Sequence, residues 1–134
     1  SKRGGARYSE VAINLVNSIY NDINDIQVVN CLNNGAIPFM QDNDAVEVCA
    51  RIGKDGAKVI KTNCNNEHIK EYMLMMKAYE KHAVKAALTG DENEAMRALL
   101  INPLVGDYKK AKPCFDELKE AHKAHLPQFF KKEK

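Results

Sequence analysis

Two pairs of potential metal ligands stand at helical spacing in this sequence. Cys64 and His68 are four residues apart, and His122 and His125 are three apart, so each pair could share one face of a helix. Zinc sites need three or four ligands in compact spacing, and no third ligand lies near either pair. We therefore interpret the two late histidines as helix surface and Cys64 as a buried thiol, and we predict no metal site in this chain.

The cysteines do not indicate a nucleophile either. A reactive thiol needs a positioned base, and no local signature pairs one of the four cysteines with one of the four histidines. Cys31 and Cys49 fall on predicted strands and are expected to fill core space. Because the cysteines are widely spaced and form no C-x-x-C pair, we predict reduced thiols in a cytoplasmic protein.

Nucleotide and calcium motifs are absent from the sequence. It contains neither G-x-G-x-x-G nor G-x-x-x-x-G-K-[ST], and "GKDG" is better explained as a hairpin turn than as a phosphate loop. The acidic segment "QDNDAVE" lacks the glycine and the terminal glutamate spacing of a calcium loop. No catalytic residue is predicted from these patterns.

The Arg3-Gly4-Gly5 turn is the remaining candidate. It directly precedes a predicted helix, whose free N–H groups and positive dipole end favour anions. Glycines there let a ligand or another backbone approach closely. A flexible chain end would explain the same residues, so the pattern alone leaves both interpretations open.

Composition indicates a soluble globular domain. The chain has 134 residues, 45% hydrophobic and 28% charged, which suits a single domain with a sizeable core. The net charge of +2 comes from interspersed signs, so a basic nucleic-acid-binding face is not predicted. No apolar run approaches the length of a membrane span.

The elements that would position these residues follow from periodicity and turn signals. An apolar stripe predicts a helix over about residues 6–22, on the residues Tyr8, Val11, Ala12, Leu15, Val16, Ile19 and Ile23. Alternation predicts strands at "IQVVNCL" and "AVEVCARI", the second with Val46, Val48, Ala50 and Ile52 on one face. "NNG" predicts a turn, and Asp55-Gly56 predicts a hairpin into a short third strand.

Three helices are predicted after the strands. The first has an asparagine N-cap candidate, a wide apolar stripe that indicates burial, and Gly90 at its end. Asp91 with Glu94 resembles a capping box for the next helix, which Asn102-Pro103 ends. The last helix should hold Pro113 near its first turn and end before Pro127. This order predicts an α+β fold, a small antiparallel sheet packed with helices.

Several long stretches resemble the C-terminal domain of glycoside hydrolase family 4. They are "RGGARYSEVAINLVNSI", "VVNCLNNGAIPFMQDNDAVEVCARIGKDGA", "KAYEKHAVKAALTGDENEAMRALLINPLV" and "AHLPQF", and together they cover nearly the whole chain. Within the family the chain is most similar to the 6-phospho-β-glucosidases. It departs at Cys49-Ala50, where the strand commonly carries proline, and at Met40-Gln41, where leucine-proline is usual.

The resemblance implies an architecture and a reaction. Family members resemble lactate and malate dehydrogenases, with a Rossmann domain followed by an α+β catalytic domain, and they use NAD and a divalent metal, usually manganese. The implied reaction oxidises the sugar C3 hydroxyl, removes the C2 proton and eliminates the C1 leaving group. Water is then added and the oxidised sugar is reduced again. This reaction is a recognised exception to the usual glycosidase mechanism, which uses a pair of catalytic carboxylates.

The resemblance also implies that residues 1–134 form the C-terminal domain of an enzyme whose other parts lie upstream. The family's glycine-rich loop, metal-binding Cys and His, and tyrosine base precede the Arg-Gly-Gly turn and match no residue here. Residues at the start of the chain would line the sugar-phosphate pocket, with Arg3 as an anion contact, and they are Arg3, Gly4, Gly5, Ala6, Tyr8 and Ser9.

Further expectations follow from this assignment. The full-length protein should bind NAD, Mn²⁺ and a phosphorylated disaccharide or glucoside, and form a homo-oligomer. The isolated chain should neither bind NAD nor hydrolyse glycosides. The alternative is a non-catalytic interaction or oligomerisation domain that keeps the family's fold.

Overall fold

A computed structural model describes residues 8–130 of the chain. The helices are α1 (Tyr8–Tyr20), α2 (Glu67–Thr89), α3 (Glu92–Ile101) and α4 (Tyr108–Ala121), and the strands are β1 (Asp25–Leu32), β2 (Ala45–Gly53) and β3 (Gly56–Val59). Two 3₁₀ turns, Lys123–His125 and Pro127–Phe130, follow α4. The predicted α+β class is confirmed, and contacts divide the chain into two compact units that meet in sequence at Asn65 and Asn66.

In the first unit, the three strands form one antiparallel sheet in the order β1-β2-β3. Every second residue of β2 is buried, and these residues are the predicted Val46, Val48, Ala50 and Ile52. The other face of the sheet is open, and it carries Ile26, Val28 and Leu32 of β1. Cys49 pairs with Val28 on this open face, so the prediction that Cys49 fills core space is wrong, whereas Cys31 is half-buried.

Helix α1 ends at Tyr20, two residues before the predicted end, and turns a different side inward. Ser18 is its one buried residue, and Leu15 is half-buried, while most of the predicted apolar stripe is exposed. A hydrogen bond of 2.7 Å from Gln27 Nε2 to Ser18 Oγ joins α1 to β1. The polar inner side explains why apolar periodicity alone misplaces the buried face.

The predicted turn at "NNG" is confirmed, and a buried asparagine organises the long connection that follows it. Asn34 and Gly35 both have positive φ, at 43° and 79°. The amide of Asn33 donates to the carbonyl oxygens of Ile37 and Met40, both at 3.1 Å, and its oxygen accepts from the Ile37 N–H at 2.7 Å. One fully buried side chain therefore satisfies three backbone groups.

We expect Asn33→Ala to destabilise this connection by roughly 2 kcal/mol, since three buried backbone groups lose their partners. Local hydrogen exchange of residues 33–44 in the intact protein measures the effect. Asn30→Ala is the matched control, because Asn30 is exposed on β1 and should change little. Equal effects of the two substitutions would contradict the prediction.

The β2–β3 hairpin forms, with its turn at Lys54 and Asp55 and Gly56 at φ 93°, one residue earlier than predicted. Gly53, the last residue of β2, lies against the α1–β1 loop. An added Cβ there would approach Asp22 Oδ1 to 2.7 Å and Asn24 Oδ1 to 2.9 Å. The glycine therefore lets the hairpin approach this loop closely.

In the second unit, the predicted helix ends are confirmed. Asn66 caps α2 by accepting from the Ile69 N–H, and Gly90 closes it in the left-handed conformation. Asp91 caps α3, which ends at Ile101 before Asn102-Pro103. The predicted burial of α2 is wrong, because Ala86 is its only buried residue within the described part of the chain.

Helix α4 differs from the prediction at its start. Pro113 is the sixth residue of the helix, not part of its first turn, because Asp107 begins the helix by accepting from the Lys109 N–H. Proline there removes one helical hydrogen bond because it has no backbone N–H. Ala111 and Phe115 are the buried residues of this helix, and the Phe115 and Phe129 rings pack edge to face.

Candidate functional site

The predicted pocket wall falls at the start of α1. Arg3, Gly4, Gly5 and Ala6 lie outside the described residues, whereas Tyr8 and Ser9 form the first turn of α1 and are both exposed. Ser9 is followed after one turn by Ala12 and Ile13, which are also exposed. The described part of the wall is therefore an open, uncharged surface apart from Glu10.

A groove of about 450 Å³ lies between α1 and β1. Its apolar walls come from Val11, Ile23, Ile26 and Val28, and its polar side chains are Asn14, Asn17, Ser18, Asp25 and Gln27. Ser18 Oγ donates to the Asn14 carbonyl at 2.9 Å. Sequence patterns did not indicate this groove.

The carboxylate of Asp25 is the ionisable group of the groove. Hydrogen bonding with Ser18, and then with Gln27, holds the pKa of Asp25 below its ordinary value, so this group is ionised at neutral pH. The lining contains amides, a hydroxyl and this carboxylate, without a thiol or an imidazole. It can hydrogen-bond a polar group but offers no paired nucleophile and imidazole base.

The candidate metal pairs do not assemble a site. Cys64 precedes α2 as predicted and is half-buried, and the His68 ring packs edge-on against Tyr72 at 4.9 Å. His122 is the C-cap of α4, and His125 lies in the following 3₁₀ turn. Within residues 8–130 no three His, Cys, Asp or Glu side chains converge as metal ligands, so these residues do not fit a manganese site.

A cluster of charged and polar side chains around Glu94 lies in the second unit and was not predicted from the sequence. The buried carboxylate of Glu94 contacts His82 Nδ1 at 2.5 Å, and Lys85 Nζ and Arg97 Nη1 at 2.9 Å each. These contacts, with Lys85 the largest and His82 next, lower the pKa of Glu94 from 4.5 to about 2. Glu94 therefore binds α2 rather than reaching back to Asp91, so the predicted capping box forms only from its Asp91 half.

Comparison with known proteins gives the family. A family model described as the C-terminal domain of family 4 glycosyl hydrolases matches residues 1–105. The chain is 49% identical over 131 residues to a probable 6-phospho-beta-glucosidase of Bacillus subtilis, covering 98% of this chain and 30% of that protein. It is 33% identical over 129 residues to a 6-phospho-beta-glucosidase of Escherichia coli, covering 96% of this chain and 29% of that protein.

Two solved structures of phosphoglucosidases resemble the fold of this chain. A 6-phospho-alpha-glucosidase from gut microorganisms, in complex with NAD and Mn²⁺, has a TM-score of 0.86 at 26% identity and covers 96% of this chain and 29% of its own. The 6-phospho-beta-glucosidase of Thermotoga maritima, with NAD and glucose-6-phosphate, has a TM-score of 0.85 at 28% identity, covering 93% of this chain and 31% of its own.

No helix in the described part of the chain is both long and apolar enough to span a membrane. The chain spans about 30% of the length of the relatives it matches. The family model matches most of the length of this chain. The chain therefore belongs to the family 4 glycosyl hydrolases and corresponds to their C-terminal domain.

Proposed function

We propose that the full-length protein is a cytoplasmic glycosidase that hydrolyses phosphorylated glucosides, in the manner of a 6-phospho-β-glucosidase. The observation that carries this proposal is the 49% identity, across 98% of this chain, to a probable 6-phospho-beta-glucosidase. Relatives of both linkage types occur near 30% identity, so the proposal of a β-linked substrate depends on the relative at 49%.

The proposed cofactors are NAD and Mn²⁺, with which the gut-microorganism relative was solved. Residues 8–130 do not assemble the donor set that a manganese ion needs. We therefore assign both groups to the preceding part of the full-length protein, which would carry out the NAD-dependent oxidation, elimination, addition and reduction. The isolated chain is accordingly proposed to be inactive.

The contribution proposed for this chain is one wall of the substrate pocket, formed by residues 3–6 with Tyr8 and Ser9. The exposure of Tyr8 and Ser9 in the first turn of α1 supports it, because a pocket wall must present its side chains to the ligand. Uncharged hydroxyl groups at that place can donate hydrogen bonds to sugar or phosphate oxygens.

The experiment is an assay of the full-length protein with chromogenic 6-phospho-β-glucoside, 6-phospho-α-glucoside and unphosphorylated β-glucoside. We expect hydrolysis of the first only, requiring both NAD and Mn²⁺. The truncated chain, comprising residues 1–134 alone, should show neither hydrolysis nor saturable NAD binding by calorimetry. Absence of activity on every glucoside, from a folded and cofactor-supplemented protein, would contradict the proposal.

Arg3 provides a test of the pocket wall itself. If its guanidinium contacts the substrate phosphate, Arg3→Ala in the full-length protein should lower kcat/KM for the phosphorylated substrate about tenfold to a hundredfold, since the loss of one charge-assisted contact costs about 1.5–3 kcal/mol. Arg3→Lys, which keeps the charge, should retain part of the activity. Unchanged kcat/KM in Arg3→Ala would remove Arg3 from the pocket.

The second candidate function is a non-catalytic interaction or oligomerisation domain. The exposed apolar residues of α1 favour it, because such surfaces contact other protein. Sedimentation of the full-length protein separates the two candidates when combined with the assay. A homo-oligomer with activity supports the first, and an oligomer inactive on every substrate supports the second.

A further inference from the structure

Helix α1 ends on an aspartate at a position where glycine is usual. The Ile23 N–H donates to the Ser18 carbonyl oxygen at 3.1 Å, and Asp22, the residue before Ile23, has a left-handed φ of 51°. Helices that close in this way commonly have glycine at the left-handed position, because it has no Cβ. An aspartate there indicates that its side chain has a role that glycine could not fill.

The side chain of Asp22 binds the β2–β3 hairpin. Its Oδ1 accepts from the Lys54 backbone N–H and from Asn24 Nδ2, both at 3.0 Å. The bond from Lys54 is the main cause that lowers the pKa of Asp22, so the carboxylate is ionised at neutral pH. A second link comes from Arg51, whose Nη1 donates to the Asn24 carbonyl oxygen at 2.6 Å. We call these contacts, together with the close approach of Gly53, the α1 clamp.

The first half of α1 depends on the other end of the helix for its position. Within the described part of the chain no residue from 8 to 14 is buried, whereas Ser18 is buried and bonded to Gln27. The 13 residues of α1 form a rod of about 20 Å, so a tilt of about 3° at the clamped end would move Tyr8 by about 1 Å. The clamp therefore fixes where the first turn of α1 lies.

We propose that Asp22 is a positioning residue for the substrate pocket: through the α1 clamp it fixes the direction of α1 and so the places of Tyr8 and Ser9. The inference rests on the proposed function, in which the start of α1 is one wall of that pocket. A displacement of about 1 Å in a binding group can cost about a hundredfold in rate. Asp22 lies at the opposite end of α1 and acts only through the helix.

The test is the steady-state kinetics of the full-length protein carrying Asp22→Gly, with chromogenic 6-phospho-β-glucoside as the substrate. Glycine keeps the left-handed helix end and removes only the contacts of the side chain, so the protein should fold. We expect KM to rise about threefold to tenfold with kcat nearly unchanged, because a binding wall moves and the reacting groups do not. Asp22→Asn, which keeps an acceptor oxygen and tolerates a left-handed φ, should retain most of the wild-type KM.

Gly53→Ala tests the clamp from the hairpin side. The added Cβ would approach Asp22 Oδ1 to 2.7 Å and displace the carboxylate, so KM should rise here as well. Gly35→Ala is the matched control, because it is the same change in the same unit with no atom within 4 Å of the added Cβ. A loss of stability at Gly35 lowers the active fraction of the enzyme, which reduces the apparent kcat and leaves KM unchanged.

An unchanged KM in Asp22→Gly, or an equal rise of KM in Gly35→Ala, would overturn the proposal. If the wild type hydrolyses no phosphoglucoside, the proposed function fails by itself, and crystal structures of the full-length wild type and Asp22→Gly then test the clamp. With β1 and β2 superposed, the first turn of α1 should be displaced by about 1 Å or more in the variant. A first turn that stays in place would overturn the proposal without any measurement of activity.

Discussion

Gly90→Ala is expected to destabilise the second unit by about 3 kcal/mol or more, the largest effect of any single substitution considered. Gly90 has φ 76°, which costs a residue with a Cβ about 1–2 kcal/mol. An added Cβ would also lie 2.2 Å from the Gln128 carbonyl oxygen and 2.5 Å from its carbon. Both atoms are backbone, so the 3₁₀ turn Pro127–Phe130 must move away from the end of α2.

The measurement is hydrogen exchange of the α2 and Pro127–Phe130 segments in the intact protein under increasing urea. Gly35→Ala is the control, because Gly35 has a similar φ of 79° but no atom within 4 Å of an added Cβ. It should show only the conformational cost, about 1–2 kcal/mol. If the two substitutions cost the same, the close contact between Gly90 and Gln128 is not present.

The second large effect is the acid sensitivity of the Glu94 cluster. The folded-state pKa of Glu94 lies at about 2, below its ordinary 4.5, because its carboxylate accepts hydrogen bonds from Lys85 and His82. A lowered folded pKa means that the unfolded state binds the proton more readily. The stabilisation is therefore complete above pH 4.5 and is lost as the pH falls from 4.5 towards 2.

Glu94→Gln should remove this pH dependence as well as destabilise the α2–α3 contact at neutral pH. The buried amide cannot form the charge-assisted contacts that the carboxylate makes with Lys85 and Arg97. We expect the stability of α2 and α3, followed by exchange at pH 7, 4.5 and 2.5, to fall more steeply in the wild type than in Glu94→Gln. Glu117→Gln, on α4 outside the cluster, should keep the wild-type slope. Parallel pH profiles for wild type and Glu94→Gln would contradict the assignment.

Local features of the fold could be predicted because their causes lie within a few residues. The Asn66 and Asp91 caps each depend on one side chain that accepts from nearby backbone N–H groups, and the Gly90 terminus and the "NNG" turn depend on residues that adopt positive φ. The alternation of β2 was equally clear, since one face is buried and the other is not. These signals give the correct α+β order of elements.

Burial could not be predicted in the same way, because it depends on what packs against each element. Apolar periodicity indicated a buried α2 and an inward stripe on α1, but α2 is at most half-buried apart from Ala86, and most of the α1 stripe is exposed. Glu94 matched a capping-box spacing, yet its carboxylate is held instead by Lys85 and Arg97 and by the ring of His82. The groove at Asp25 also arises from residues on two elements and has no sequence motif.

The family could be recognised from long stretches of similar sequence, whereas the substrate pocket could not be constructed from the residues of this chain. Tyr8 and Ser9 are in place at the start of α1, but a pocket needs an opposite wall. Residues 8–130 contain no group of side chains that converges as metal ligands, so the metal-binding side of the pocket is not formed by them. The reaction of the enzyme is therefore proposed from its relatives. Only one wall of the substrate pocket is proposed from the residues of this chain.

The position of β1 has a practical consequence for anyone who prepares this domain alone. It is an edge strand of eight residues, "DIQVVNCL", with apolar side chains on its open face and neither lysine nor proline within it. Natural edge strands usually carry such residues to prevent intermolecular strand pairing. Concentrated preparations of the separated domain should therefore aggregate through β1, and a lysine in place of Val28 should keep them in solution.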